Sequence, residues 1–240
     1  MITVGPNDRV FVLTGSGISA ESGIPTFRGV DGIWKTHRAE EVASPEMWRR
    51  NPHLVWEFYS ARRKSAADKE PNPGHRALAR LEEAIGDRLL ICTQNVDELH
   101  EKAGSTRILH MHGSLFQTRC EKCGIPPFED YHLYDEELPN CRCGAHLRPH
   151  ICWFGEIPYH LERIYRELEE CTIFLAVGTS GLVHPAAAFV AHARLKGQVR
   201  TCCYVGPEKP ANHRVFDQLV LESAAKALPE LFDLTQAKAR

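Results

Sequence analysis

Long apolar runs are missing from this sequence, and no stretch approaches the ~20 residues that a membrane-crossing helix needs. An excess of one charge is missing too. Lys and Arg number 29 against 31 Asp and Glu, a formal net charge of -2, so no basic footprint marks a nucleic-acid partner. Residues 1–8 lack the basic segment and long apolar core of a secretion signal. Internal repeats and low-complexity tracts are absent. A disulfide framework is not indicated either, because the nine cysteines are an odd number. Four of them cluster between Cys120 and Cys143, while Cys92, Cys152, Cys171, Cys202 and Cys203 lie in apolar runs. That usage fits a reducing compartment, a metal site and buried thiols. These absences together predict a cytoplasmic chain with neither a membrane nor a nucleic acid as partner.

What the 240 residues do hold is core-forming material. At 43% hydrophobic and 25% charged, the chain suits one large domain or one and a half. Val10 to Leu13, Leu89 to Thr93, Ile108 to His112, Ile173 to Val177 and Val199 to Val205 read as strands. Helical spacing lies between them. Pro45 to about Lys64 carries Val55, Phe58, Tyr59 and Arg62 on one face, and a second segment carries Leu78, Leu81 and Ile85. Leu161 to Glu170, about Pro185 to Leu195, and an alanine-rich stretch closing near Leu231 follow the same period. Asn72 to His75 reads as a turn. Strands alternating with helices predict an α/β fold with a parallel sheet. The strands ending near Leu13, Cys92 and Val177 run into polar or glycine-rich loops, which in such a sheet share the carboxyl edge where ligands bind.

Gly15 to Ala20 matches the pattern G-x-G-x-x-G/A. Such glycines let the backbone turn sharply and present N–H groups to a pyrophosphate. A plain strand-to-helix turn explains the same residues as well. The helix is broken early at Gly23 to Pro25, unlike the second half of a dehydrogenase fingerprint. Cys120-x-x-Cys123 and Cys141-x-Cys143, with 17 residues between the pairs, can set four sulfurs at the corners of a tetrahedron around Zn²⁺. Four thiolates leave no open position, so such a site is structural and holds together a segment poor in apolar residues. A metal-free cluster is the alternative. Arg62 continues an apolar stripe, and there it either meets an anion or snorkels to solvent. His110 and His112 lie two apart on one strand and face the same side, so pattern alone does not choose a general base between them. His75, His100 and His150 read as structural or solvent-facing.

Taken in order, Gly15 to Arg28, Thr93 to Asp97, His112 to Leu115, the four cysteines, Arg148 to Glu156 and Gly178 to Ser180 resemble the sirtuins. These are NAD-dependent protein-lysine deacylases, and the likeness spans nearly the whole chain. It implies a Rossmann-like parallel sheet with helices on both faces, built from residues 1–35, 76–116 and 150–240. A smaller domain would combine a helical insertion (36–75) with a zinc-binding module (117–149). NAD would be consumed as co-substrate, and one structural Zn²⁺ would sit on Cys120, Cys123, Cys141 and Cys143. Gly15, Ser16, Gly17, Ser19, Ala20, Thr26, Phe27, Arg28 and Trp34 would wrap the pyrophosphate and the nicotinamide end. Gln94 and Asn95 would contact the ribose, Val96 and Asp97 the nicotinamide carboxamide. Gly178, Thr179, Ser180 and Ala224 would bind the adenosine half. His112 would be the general base, accepting a ribose hydroxyl proton. Trp153, Phe154, Gly155 and Glu156 would form a strand pairing with the backbone of an acyl-lysine peptide. The products implied are deacylated lysine, nicotinamide and O-acyl-ADP-ribose.

Trp56 to Arg63 resembles more narrowly the bacterial class III sirtuins, which remove malonyl, succinyl and glutaryl groups. By that likeness Tyr59 and Arg62 would bind the distal carboxylate, Ala43 would leave room in the acyl channel, and acetyl removal would be retained. The implied partners are acylated lysines of proteins, and a monomer is expected. Several residues depart from the family pattern. Ser16 replaces Ala, Val96 replaces Ile, His110 stands where Glu is common, and His184 where Tyr is common. Tyr204 to Gly206 lacks the usual asparagine, and Glu222 to Ala224 replaces a Gly-x-Ala turn, both at the adenosine end. Two rival readings share the site: a protein ADP-ribosyltransferase, and a non-catalytic module sensing NAD or ADP-ribose. The latter would not need Gln94, Asn95, Asp97 and His112 together.

Overall fold

The computed structural model describes residues 1–26, 39–134 and 137–237, with backbone alone at 39 and 40. Six parallel strands form the central sheet, in the spatial order Gln218–Val220, Thr201–Val205, Ile173–Val177, Val10–Thr14, Leu89–Thr93 and Ile108–His110. The chain therefore grows outward in one direction from Val10–Thr14, returns to the middle, and grows outward in the other. That is the doubly wound order, and its switch point lies between Val10–Thr14 and Ile173–Val177.

The strands read as near-continuous apolar runs because both faces are covered. Side chains alternate between two cores, as a period of two requires. Val10, Val12, Leu89, Ile91, Ile173 and Leu175 face one layer with Leu78, Leu81 and Ile85 of the Pro73–Ile85 helix. Phe11, Leu13, Leu90, Phe174 and Ala176 face the other, with Ile164 and Leu168 of the Leu161–Glu170 helix and Phe189 and Val190 of the Phe189–Lys196 helix. A third core joins Trp48, Val55, Trp56, Phe58 and Tyr59 to Leu115, Phe116, Ile151 and Trp153. It packs the helices Pro45–Arg50 and Pro52–Ala67 against a small antiparallel sheet of Phe128–Glu129, Gly113–Cys120 and Leu147–Ile151.

Several elements differ from the sequence reading, each for a local reason. The single helix expected from Pro45 is two helices. Asn51 ends the first and caps the second, its Oδ1 accepting from the Leu54 N–H at 3.1 Å, with Pro52 in the first turn. Asn72 to His75 is not a free turn but a capping box opening the Pro73–Ile85 helix. The strand expected over Ile108 to His112 stops at His110, so His112 lies beyond the sheet edge. The alanine-rich helix is a single α-turn, Ala224–Ala227, followed by the 3₁₀ turn Leu228–Glu230 that contains Pro229.

The two central strand ends meet through glycine. A Cβ on Gly17 would lie 2.7 Å from the Gly178 Cα, and one on Gly178, at φ +60°, would lie 2.4 Å from the Ile18 nitrogen. Both contacts are backbone, which cannot yield. Gly178→Ala is expected to lose about 1–3 kcal/mol of stability through left-handed strain and overpacking. Thermal unfolding checks this: a midpoint equal to that of the unsubstituted protein would show that the loops separate without cost.

Candidate functional site

The site lies at the carboxyl edge of the sheet, where the switch point opens a crevice. The Gly15 N–H donates to the Val177 carbonyl and the Gly17 N–H to the Gly178 carbonyl, both at 2.9 Å. After Gly15 the chain makes two 3₁₀ turns, Ser16–Ile18 and Ala20–Ser22, and Gly23 ends the second in a left-handed conformation. The early break read from Gly23 is therefore a structural stop. Glycine serves here to bring two loops together, and the contact leaves the floor of the crevice without side chains. That floor suits a pyrophosphate. Gln94 braces it by donating from Nε2 to the Thr179 Oγ1 at 3.1 Å and the Thr14 carbonyl at 3.3 Å. Ser16 and Gly17 are half-buried, Ala20 is exposed, and Thr26 is half-buried. Phe27, Arg28 and Trp34 lie outside the described residues.

Beneath the loop runs a buried polar network. Ser19 is fully buried, and its hydroxyl donates to Asp97 Oδ2 at 3.0 Å while accepting from Asn95 Nδ2 at 3.1 Å. Asp97 Oδ1 also accepts from the Leu99 N–H at 3.1 Å. Burial pushes the Asp97 carboxyl up, against the pull of its hydrogen bonds. The Ser19 side chain thus faces Asn95 and Asp97. Thr14 and Thr93, paired in register at the ends of adjacent strands, share a 2.8 Å hydrogen bond, and the Thr93 hydroxyl accepts from the Asn95 N–H. Thr14 also meets His100 Nε2 at 3.0 Å. His75 lies 3.5 Å from the Ser19 hydroxyl, and its ring meets that of His100 edge-on. Burial drives His75 down to about 4 and His100 well below the usual histidine value. Both are buried structural groups rather than solvent-facing ones. Sequence reading missed Thr14 and Thr93 as site residues. Their signal was a polar residue closing each of two apolar strands.

His110 and His112, left equivalent by the sequence pattern, are separated by their partners. His112 Nδ1 donates to the Gln94 carbonyl at 3.1 Å, since a carbonyl can only accept. The proton therefore sits on Nδ1 and the Nε2 lone pair is left as a base. Burial lowers its pKa, opposed in part by the Gln94 hydrogen bond, so the ring is neutral at pH 7. His110 has acceptors at both nitrogens, the Asn95 carbonyl and Glu101, and has no lone pair to offer.

The residues expected to bind the acyl group lie in and around the third core. Tyr59 is buried and its hydroxyl oxygen accepts from Trp153 Nε1 at 3.0 Å. Burial raises its phenol to about 12, opposed by Arg62, so Tyr59 stays a neutral O–H donor. Arg62 has no hydrogen-bonding or ion-pair partner among the described residues, and its guanidinium lies 5.5 Å from the centre of the Phe58 ring. Burial pulls it below the ordinary arginine value, while Tyr59 and Asp97 favour its charge. Ala43 is buried in the same core, and its carbonyl accepts from the Phe154 N–H at 3.2 Å.

Residues Trp153 to Glu156 do not form the strand expected of them. The regular strand ends at Ile151, and Trp153 to Glu156 is a turn, with Gly155 at φ +88° and the Glu156 N–H donating to the Trp153 carbonyl. Trp153 is core, while Phe154 and Gly155 are exposed. Glu156 is held inside the protein: Arg148 grips both carboxylate oxygens at 2.7 and 3.0 Å, and the Trp153 N–H donates to it at 2.8 Å. This bidentate clamp holds the turn and leaves Glu156 little capacity for a peptide. The Arg148 guanidinium also stacks 3.3 Å over Trp153. Sequence reading gave Arg148 no role of its own.

At the adenosine end the expected residues differ in exposure. Thr179 is half-buried and Ser180 exposed at the crevice, but the Ala224 methyl is packed in the core. Val96 is half-buried against the third core. The four cysteines come together as spacing required. Their Sγ atoms all lie within 4.8 Å of one another, with Cys120–Cys143 at 3.6 Å and Cys123–Cys141 at 3.5 Å. A tetrahedron with Zn–S bonds of ~2.3 Å has edges of ~3.8 Å, so the donor set fits one zinc ion with no open position. Amides of Cys123 and Lys122 donate to Cys120 Sγ and pull its thiol down to about 6.

Glu121, inside the first knuckle, accepts from Trp48 Nε1 at 2.8 Å. Removing zinc with a chelator is expected to change tryptophan emission while the parallel sheet keeps its circular dichroism, because no cysteine of the cluster belongs to its two cores. Unchanged emission on loss of one equivalent of zinc would contradict that coupling.

Comparison with known proteins agrees with this geometry. The Sir2 family model matches residues 15–185. A Salmonella typhimurium protein named NAD-dependent protein deacylase is 47% identical over 230 residues, covering 95% of this chain and 84% of that protein. The crystal structure of a Sir2 homologue in complex with NAD superposes with a TM-score of 0.85 at 38% identity, covering 92% of this chain and 86% of the other. A Sir2 homologue variant in complex with 2'-O-acetyl ADP-ribose gives 0.85 at 36% identity, covering 95% and 91%. On the family match and the 47% identity, the chain belongs to the Sir2 family.

Proposed function

We propose that this chain is an NAD-dependent protein-lysine deacylase whose channel accepts succinyl and malonyl groups as well as acetyl. The deacylase reading follows the names of its relatives and the Nε2 lone pair of His112. The observation that carries the acyl specificity is Arg62. A half-buried guanidinium that feels the Asp97 charge but has no carboxylate in hydrogen-bond or ion-pair reach among the described residues is costly unless a ligand supplies one. Its neighbour Tyr59 accepts from Trp153, and its own O–H proton has no acceptor among the described residues. The two groups interact with each other electrostatically, and a carboxylate at the end of a short acyl chain would supply an acceptor to both.

Bound NAD supplies a nicotinamide–ribose bond whose cleavage opens a position for the acyl group. The chain's residues do the rest by position and proton transfer. Gln94 and Thr179 brace the crevice, while Ser19 holds Asn95 and Asp97 in one orientation. The Gln94 carbonyl fixes the His112 tautomer so that Nε2 takes a hydroxyl proton. The Trp153 ring sets the Tyr59 hydroxyl beside Arg62. A sensing module would gain nothing from a neutral histidine aimed in this way.

Tyr59→Phe and Arg62→Met should each lower kcat/KM on succinyl-lysine peptides by roughly 10- to 100-fold, the loss of one charge-assisted hydrogen bond. Acetyl-lysine turnover should change little, and equal losses on both peptides would make the pair structural. His112→Tyr should reduce deacylation by at least ~100-fold in a folded protein that keeps its zinc. Undiminished turnover would remove His112 as the base. Because burial lowers the His112 pKa, the neutral ring persists below pH 6.5. The acidic limb of kcat/KM should therefore fall on the acid side of 6.5. A limb above that value would contradict a neutral, buried base.

A further inference from the structure

The departure at His110 has a geometric consequence. Its Nδ1 lies 3.1 Å from the Asn95 carbonyl and its Nε2 2.6 Å from Glu101 Oε1. A carbonyl oxygen and an ionised carboxylate both accept only, whereas a neutral imidazole has a single N–H. Both contacts exist together only when the ring carries two protons. We infer that His110 is a positioning residue, an imidazolium that ties the Asn95 carbonyl to Glu101 and thereby holds the Gln94–Asp97 loop in the shape that receives NAD. The inference rests on the reading of that loop as part of the NAD site.

The surroundings support a charged ring. Burial opposes the charge, but the hydrogen bond and charge of Glu101, with smaller help from the Asn95 carbonyl and Asp97, outweigh it and raise the pKa. His100, His150 and His160 also face His110 from neighbouring elements. Burial lowers all three, so they add no competing charge at pH 7. Asn95 is otherwise tethered through its N–H to Thr93 and through its amide to Ser19. His110 holds the remaining backbone group, the carbonyl, while His112 holds the preceding one at Gln94. The strand end and the turn after it thus carry two histidines in opposite protonation states. The charged ring shapes the loop and the neutral ring offers a lone pair.

The sign follows from the raised pKa. Below it both hydrogen bonds stand. As pH rises through it the ring loses one proton and must release either Asn95 or Glu101. NAD affinity should therefore weaken on the alkaline side by roughly tenfold, the loss of one charge-assisted hydrogen bond.

The test uses the full-length, zinc-loaded protein. The Kd for NAD is measured by calorimetry across neutral and alkaline pH, and His110 is titrated by NMR of its ring carbons. The expected result is a rise in Kd whose midpoint matches the His110 titration. Glu101→Gln should move both midpoints to lower pH together. His110→Gln should bind NAD weakly at every pH with no alkaline rise, raising KM for NAD by a larger factor than it lowers kcat. A Kd that is independent of pH, or a midpoint that stays put when Glu101→Gln shifts the histidine, would overturn the inference alone. Failure to bind NAD at any pH would overturn the NAD-site reading with it.

Discussion

Everything in the site depends on the contact between Gly17 and Gly178, where two strand ends touch backbone to backbone at the sheet's switch point. No side chain fits between them. This contact turns the chain so that Ile18 and Ser19 point inward, with Ile18 in the core and Ser19 toward Asn95 and Asp97. The Gln94–Asp97 loop is in turn the platform on which both His110 and His112 rest their Nδ1 atoms. A tight backbone crossing thus sets the position of a base distant in the sequence. The chain of causes runs through hydrogen bonds that are all buried or half-buried, where each is expensive to break.

Two adjacent arginines show how burial separates structure from recognition. Arg63 is 1% exposed and donates to the carbonyls of Leu115 and His132, to Thr118 and to Asp130. It ties the Pro52–Ala67 helix to the small sheet. Arg62, about 100° around the same helix, has no such partner among the described residues. A saturated guanidinium stabilises the fold, while an unsaturated one is a place for an anion. The four cysteines belong to the first kind, since their thiolates would fill the coordination shell of one zinc ion and leave no position for a substrate.

Much of this was legible in the sequence, for physical reasons. The parallel sheet announced itself because strands buried on both faces must be apolar throughout, as Ile173 to Val177 is. The cysteine cluster announced itself because tetrahedral geometry demands paired knuckles. The stop at Gly23 was readable because glycine and proline punctuate local structure. Partners across the fold were not readable. Nothing in the order of residues tells that Glu156 is gripped by Arg148 rather than facing a peptide, or that Trp153 to Glu156 turns instead of extending. His110 and His112 have the spacing of one strand face, yet the strand ends at His110, and what distinguishes them is the partners that face each from other elements. Ala224 looked like a ligand contact by position, yet its methyl is core.

The central claim is that a neutral histidine base works together with a cation awaiting a carboxylate. The most direct measurement is kcat/KM for the unsubstituted protein on one peptide carrying either succinyl- or acetyl-lysine, with NAD present and products identified by mass spectrometry. The account predicts that both acyl groups are removed, with one nicotinamide and one O-acyl-ADP-ribose formed for each lysine freed. A succinyl peptide left intact, or nicotinamide released without deacylation, would contradict it.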